Sequence, residues 1–170
     1  MANAAAHLRP ILATAYYTGM RKREITTLTW DKIDFKARVI RLEAADTKDR
    51  EKRTVPICDP LMEELQVIPR GIHGLVFRYL GKGVGDIETA METACKKAKI
   101  KYGRFVKGGF VFHDLRHTFN TNMRKAGVAE SVIMDITGHS TRAMFDRYNT
   151  VDESDRNQAI GQFKAFLEKS

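Results

Sequence analysis

The stretch VFHDLRHTFN, residues 111–120, packs two histidines, an aspartate and an arginine between His113 and His117, with apolar neighbours on either side. On a helix, His113, Arg116 and His117 lie three and four residues apart and share one broad face. Two chemistries suit such a face: a metal held by imidazoles, or an anion held by a guanidinium. The metal site would use His113 and His117, with His139 as a third ligand. Its spacing, HDLRH, lacks the glutamate in second position that serves as base in zinc hydrolases, and Arg116 beside the ligands would repel a divalent cation. No metal and no cofactor are therefore expected. An arginine between imidazoles suits a phosphate better, because its planar donors hold two non-bridging oxygens at once. His117 also has a plainer reading, as an anchor that ties its helix down by hydrogen bonds.

The charge of the chain agrees with a phosphate-bearing partner. Over 170 residues, lysine and arginine exceed aspartate and glutamate by 29 to 21, a net of +8, which favours a polyanion. The excess is concentrated. Arg21 to Arg53 holds eleven basic residues, and KKAKIKYGRFVK (96–107) holds six without an acid: Lys96, Lys97, Lys99, Lys101, Arg104 and Lys107. With Tyr102 and Phe105 interleaved, that run is a candidate surface for a polyanion backbone, or equally a solvated loop. The apolar fraction of 43% is that of a globular protein and argues against disorder. Cys58 and Cys95 stand far apart and match no metal or redox pattern, so a reducing compartment, the cytoplasm, is expected. No apolar run approaches the roughly 20 residues that span a bilayer, and no membrane partner is expected. The opening MANAAAHLRP lacks the hydrophobic segment of a secretory signal; residues 1–7 read as a boundary tail of a single domain over 1–170.

The elements that must position these residues follow from periodicity. Residues 8–18 place Leu8, Ile11, Leu12, Ala15 and Tyr16 at helical spacing, with Gly19 as the stop. A short helix is expected over 22–30, with Ile25 and Leu28 inward. RVIRLEA (38–44) and RTVPIC (53–58) alternate and are β-branched, and the charged ADTKDREKR between them fits an exposed hairpin turn. Asp59 and Pro60 open a helix to about Val67. A glycine-rich loop with a short strand at 75–77 precedes a helix from Asp86 to about Lys99. The helix carrying the opening motif is expected over 111–125, ending at Gly127, with short helices at 130–137 and 141–147. The tail, 154–169, reads as an amphipathic helix with Ile160, Phe163, Phe166 and Leu167 on one side. The sum is an α+β domain, mostly helical, with a small antiparallel sheet in its N-terminal third.

Three motifs then combine. TGMRKREITTLTWDKID (18–34), HDLRHTF (113–119) and GHSTRAMFDRY (138–148) resemble the catalytic domain of tyrosine recombinases, the phage integrase family. They occur in the family's order, and the likeness runs from about Arg9 to Ala159. The resemblance implies that Arg21 is the first catalytic arginine and Glu24 the acid supporting it. It implies that Lys48 is the catalytic lysine, although Lys52 lies on the same charged turn. It implies His113 and Arg116 as the histidine and second arginine, His139 as the second histidine, and Tyr148 as the nucleophile.

The chemistry implied needs these residue types. Attack on a DNA phosphodiester loads negative charge onto the equatorial oxygens, and without a metal, preformed cations such as Arg21 and Arg116 must stabilise it. A tyrosine hydroxyl with a reference pKa of about 10 needs a cationic pocket to ease its deprotonation. His113 is a candidate to accept that proton or bond the phosphate, His139 to bind a phosphate oxygen, and Lys48 to supply a proton to the departing 5′ hydroxyl. The resemblance implies a 3′-phosphotyrosine intermediate and religation without ATP.

Several alternatives stay open. Glu24 either holds Arg21 or caps local backbone, Asp114 either orients His117 or bonds backbone, and Met144 and Phe145 pack the segment before Tyr148. Tyr148 itself has a plainer reading as a core or interface aromatic. The same pocket would serve a type IB topoisomerase, and a non-catalytic DNA-binding module is a second rival. Family members carry a separate N-terminal DNA-binding domain; the resemblance implies that this chain is a catalytic fragment whose own DNA binding is weak and salt-sensitive. Expected partners are double-stranded DNA and further recombinase protomers, a tetramer on DNA, with the fragment itself able to be a monomer. The tail helix either docks on a neighbouring protomer or on its own core.

Overall fold

The computed structural model describes residues 1–71, 74–139, 141, 142, 145 and 153–168, with the side chains of 154, 155 and 158 excepted. The expected helix 141–147, Met144 and Tyr148 therefore fall wholly or mostly outside the described residues.

The first helix, α1 (Arg9–Thr18), carries Pro10 in its first turn, where the missing N–H costs no hydrogen bond. Leu8, Ile11, Leu12, Ala13 and Ala15 are buried along it, each large aliphatic contributing roughly 1.5–3 kcal/mol. Gly19 ends it at φ 64°, its N–H bonded to the Ala15 carbonyl. This position needs glycine twice over, because a Cβ would also stand 2.7 Å from the Phe119 ring and 3.1 Å from Thr137. That close approach draws two later helices onto the end of α1.

Helix α2 (Lys22–Thr26) follows and is shorter than its pattern suggests. The Thr27 hydroxyl donates to the Arg23 carbonyl, and after this last turn Leu28 bonds across to Val76. Ile25 and Leu28 are buried as expected. A 3-10 turn, Trp30–Lys32, leads into β1 (Ile33–Asp34), β2 (Val39–Leu42) and β3 (Arg53–Pro56), an antiparallel sheet in the order β1-β2-β3. Ile40 pairs with Ile33 and Val55, all three buried, so one face of the sheet meets the core. The two-residue β1 is too short for alternation to reveal, and so the expected ribbon gains a third strand.

Helix α3 (Asp59–Gln66) buries Leu61 and Leu65 against α1. Leu75 bridges Thr29, and a small ribbon, β4 (Arg78–Tyr79) with β5 (Lys82–Gly83), follows. Helix α4 (Glu88–Lys97) starts where the Asp86 side chain accepts from the Glu88 N–H, and ends before Lys99, which takes φ 58°. Helix α5 (Asp114–Lys125) packs on α1 and α6 (Glu130–Thr137) packs on both α5 and β3. Helix α5 begins three residues later than its apolar pattern suggests, because the Asp114 carboxylate accepts from the Val111 N–H and holds that stretch as a turn. Helix α7 (Glu153–Leu167) closes the described chain. Among the described residues no helix is long and apolar enough to cross a membrane.

Candidate active site

The candidate site forms where three element ends meet: the N-terminus of α2, the first turns of α5 and the C-terminus of α6. Arg21 precedes α2. Its Nη1 donates to Glu24 at 3.2 Å, and its Nη2 to Asp49 at 2.7 Å and to the Gly138 carbonyl at 3.0 Å. Glu24, 2% exposed, also accepts from the Arg21 backbone N–H at 2.8 Å. Both alternatives for Glu24 therefore hold together: it supports the arginine and caps the helix.

Arg116 lies on the buried side of α5. Its Nη1 donates to the Gly19 carbonyl at 2.7 Å, two residues from Arg21, and its Nη2 meets the His139 ring, 3.1 Å from Nε2. His139 follows Gly138, whose carbonyl Arg21 binds, so the two guanidiniums converge on adjacent residues of one turn. Among the described residues Arg116 has no carboxylate in salt-bridge range. Burial, then the nearby Arg21, push its guanidinium down to about 9, still cationic at neutral pH. A buried cation with no carboxylate in direct contact, the nearest acids being Glu24 and Asp49, stabilises an anion that enters beside it.

The tautomer of His139 follows from counting protons. The Thr137 hydroxyl donates to the Ile133 carbonyl at 2.6 Å, so toward the His139 Nδ1, 2.8 Å away, it accepts. On that network Nδ1 carries the proton, and the Arg116 Nη2, 3.3 Å from Nδ1 and 3.1 Å from Nε2, lies over the face of the ring. Burial, followed by Arg116 and Arg21, lowers the imidazole to about 3, so it is neutral. The Phe145 ring, buried, closes the far side at 5.7 Å, edge to face.

His113 stands at the solvent side of the same α5 turn, edge to face with His117 at 4.8 Å between ring centroids. Partial burial, then His117 and Arg116, lower its pKa, leaving a neutral base. It lines a cavity of about 330 Å³ with Lys22, Tyr102 and Arg104. Of the basic run, Arg104 thus comes nearest the site, while Lys96, Lys97, Lys99, Lys101 and Lys107 are exposed beyond it. Tyr102 is tied to Glu88; burial and that carboxylate push its phenol well above the usual range.

Lys48 is exposed on the turn between β2 and β3, the turn whose Asp49 reaches Arg21. Lys52, its rival, is engaged by Glu43 at 2.9 Å. Tyr148 lies outside the described residues.

Sequence reasoning overlooked Asp49, Thr137 and Arg53. Only Arg53 left a signal: in RTVP it alternates with buried Val55, so its charge faces inward and requires a buried carboxylate. That partner is Glu24, 2.6 Å away.

Arg21, Arg116 and His139 thus meet at one turn of a mostly helical α+β scaffold, with His113 on the solvent side of the same region. The chain belongs to the phage integrase family, whose model matches residues 1–155. It is 32% identical over 139 residues to the shufflon-specific DNA recombinase of Escherichia coli, covering 81% of this chain and 33% of that protein. Its fold matches the XerA recombinase with a TM-score of 0.72 at 21% identity, over 93% of this chain and 57% of that one. The catalytic domain of the bacteriophage HP1 integrase matches with a TM-score of 0.63 at 32% identity, over 83% of this chain and 73% of that domain. The chain spans between a third and about half of the length of the curated relatives it matches.

Proposed function

We propose that this chain is the catalytic part of a site-specific DNA recombinase that cleaves and rejoins duplex DNA through a 3′-phosphotyrosine, without metal or ATP. The carrying observation is the convergence of Arg21 and Arg116 on the Gly138–His139 turn, with Arg116 buried and lacking a carboxylate among the described residues.

In this reading the Tyr148 phenolic oxygen attacks phosphorus, the bond from phosphorus to the 5′ oxygen breaks, and the phosphate stays on the enzyme. The attacking phenol gives up its proton, and His113, whose pKa is lowered by partial burial and the nearby His117 and Arg116, is the base assigned to take it. The departing 5′ oxygen receives a proton from Lys48. Arg21 and Arg116 offset the charge growing on the equatorial oxygens, each such donor being worth on the order of 10²–10³ in rate. His139 joins them once protonated, and an arriving phosphate favours that form by adding negative charge beside it. Attack by a 5′ hydroxyl on the phosphotyrosine then reverses each bond change, so strand joining needs no external energy.

The partners are duplex DNA and further protomers. Arg104 beside the His113 cavity and the exposed lysines of 96–107 supply a basic flank for DNA. Ile160, Phe163, Phe166 and Leu167 of α7 are exposed by 69%, 58%, 66% and 56%, which favours docking on another protomer in a synaptic assembly over docking on the chain's own core.

The test uses nicked suicide duplexes, from which the cleaved 5′ fragment diffuses away. A denaturant-resistant protein–DNA adduct is expected, and its loss in Tyr148→Phe. DNA binding with no adduct on any duplex would leave a binding module instead. Relaxation of supercoiled DNA without exchange between paired sites would point to a topoisomerase.

A further inference from the structure

Two guanidiniums, not one, hold the Glu24 carboxylate. Arg53, on β3, donates from Nη2 to Glu24 Oε2 at 2.6 Å, and from Nε to the Ile136 carbonyl at 3.1 Å. Arg21 donates to the other Glu24 oxygen and to the Gly138 carbonyl. The bonds close a ring from β3 through Glu24 to Arg21, on to the end of α6, and back to Arg53. Both carbonyls in it belong to the C-terminal turn of α6, where helix oxygens lack intrahelical donors and the dipole is negative.

Such a ring is a poor way to gain stability alone, since a buried ion pair is commonly matched or bettered by apolar side chains of the same volume. Its geometry serves another end. The Arg21 fork is shared among Glu24, Asp49 and Gly138, so its direction depends on Glu24 staying still, and Arg53 is what immobilises Glu24. The bond to Ile136 also fixes the turn from which His139 meets Arg116. The approach at Gly138 is tight as well: at φ 68°, a Cβ there would stand 2.8 Å from Arg53 Nη1. Arg53 is buried, its side chain 5% exposed, so its effect on a duplex runs through the residues it holds.

We infer that Arg53 is a positioning residue for strand cleavage, aiming Arg21 through Glu24 and setting the His139 turn through the α6 carboxyl end. The inference rests on the proposed recombinase reading of this pocket. It predicts a defect in the chemical step with DNA affinity untouched, and one that vanishes when Arg21 is already impaired.

The experiment uses the whole chain and measures adduct formation on nicked suicide duplexes at saturating DNA, with DNA affinity by fluorescence anisotropy and folding by thermal melt. Arg53→Lys keeps the charge but cannot reproduce the planar fork that bridges Glu24 and Ile136. It is expected to slow adduct formation at least fivefold and leave the DNA dissociation constant within twofold. Placed on an Arg21→Lys background, it is expected to add less than a further twofold. Gly138→Ala, which presses on Arg53 from outside, should give the same split and serves if Arg53→Lys melts below the assay temperature. A loss smaller than fivefold in both variants, or a full multiplicative loss on the Arg21→Lys background, overturns the positioning role. Those outcomes leave the recombinase reading intact so long as the unmodified chain forms its Tyr148-dependent adduct. Absence of that adduct would sink the recombinase reading and this inference with it.

Discussion

The Asp49 carboxylate lies 2.7 Å from the Arg21 guanidinium, occupying a donor that the proposed reaction assigns to a phosphate oxygen. It sits one residue after Lys48 on the exposed turn between β2 and β3, whereas Glu24, on the other side of Arg21, is buried. The two acids therefore play different parts. Glu24 is a fixed support; in the proposed reaction Asp49 stands in for an anion that entering DNA would displace, and it lies on the turn that carries Lys48.

Asp49→Asn should consequently help DNA rather than hinder it. A partly exposed ion pair is worth roughly 0.2–1 kcal/mol, so releasing Arg21 should tighten binding about 1.5- to 5-fold. Anisotropy titrations at fixed salt measure this directly. Weaker binding would mean that Asp49 orients Arg21 and does not compete for it.

Glu24→Gln should act on stability. The substitution keeps the shape but leaves Arg53 buried without its counter-charge, a change that costs roughly 3–5 kcal/mol. Urea unfolding should show it as a lower midpoint at unchanged slope. A midpoint like that of the parent would show that the ring can be broken without penalty.

Acid should destabilise the fold through its histidines. His139 is depressed to about 3 by burial and the adjacent arginines, and His113 and His117 are lowered as well. Below the unfolded value of about 6.5 the unfolded chain takes up protons that the folded chain refuses, so stability is complete above that pH and falls as pH drops toward 3. At pH 5.5 the His139 share is about 1 kcal/mol, or roughly 2–4 °C in melting temperature. Comparing the pH dependence of melting in the parent and in His139→Asn isolates it, and the variant should show the shallower decline.

Removing α7 should spare the fold and harm assembly. Its apolar residues are mostly exposed, so a chain ending at residue 152 should melt within about 2 °C of the parent. Sedimentation on paired-site DNA should then show protomers that bind without associating. A drop in melting temperature well beyond that would place α7 on its own core.

Substitutions in the basic run test the DNA flank. Deleting one cation that neutralises a phosphate should shallow the slope of log affinity against log salt by about 0.9. Arg104→Ala, beside the His113 cavity, should do so and also slow adduct formation, whereas Lys96→Ala, further out on α4, should change the salt slope alone or not at all.

How much of this was legible before folding varies with the interaction involved. The end of α1 at Gly19, the β2–β3 pair and the span of α6 all follow from local signals, a left-handed glycine and the alternation of β-branched residues, that need no distant partner. Element starts were less legible. Helix α5 begins at Asp114 and not at Val111 because one carboxylate bonds backwards onto the chain, and α2 stops at Thr26 because Leu28 pairs with Val76 across the fold. For the tail, the apolar residues could be counted in advance, but whether they were covered could not.

Sequence by itself determined the candidate chemistry: which arginines, histidines and lysine the chain has, their order, and the family to which they belong. Only tertiary structure decided their company. That Arg53 meets Glu24, that Asp49 occupies Arg21, and that Arg116 reaches His139 are pairings over short distances between residues far apart in the chain. The physical reason is one of range. Helix and strand signals are set by backbone neighbours a few residues apart, whereas a buried charge is stabilised only by what the fold brings within about 3 Å of it, from anywhere in the chain.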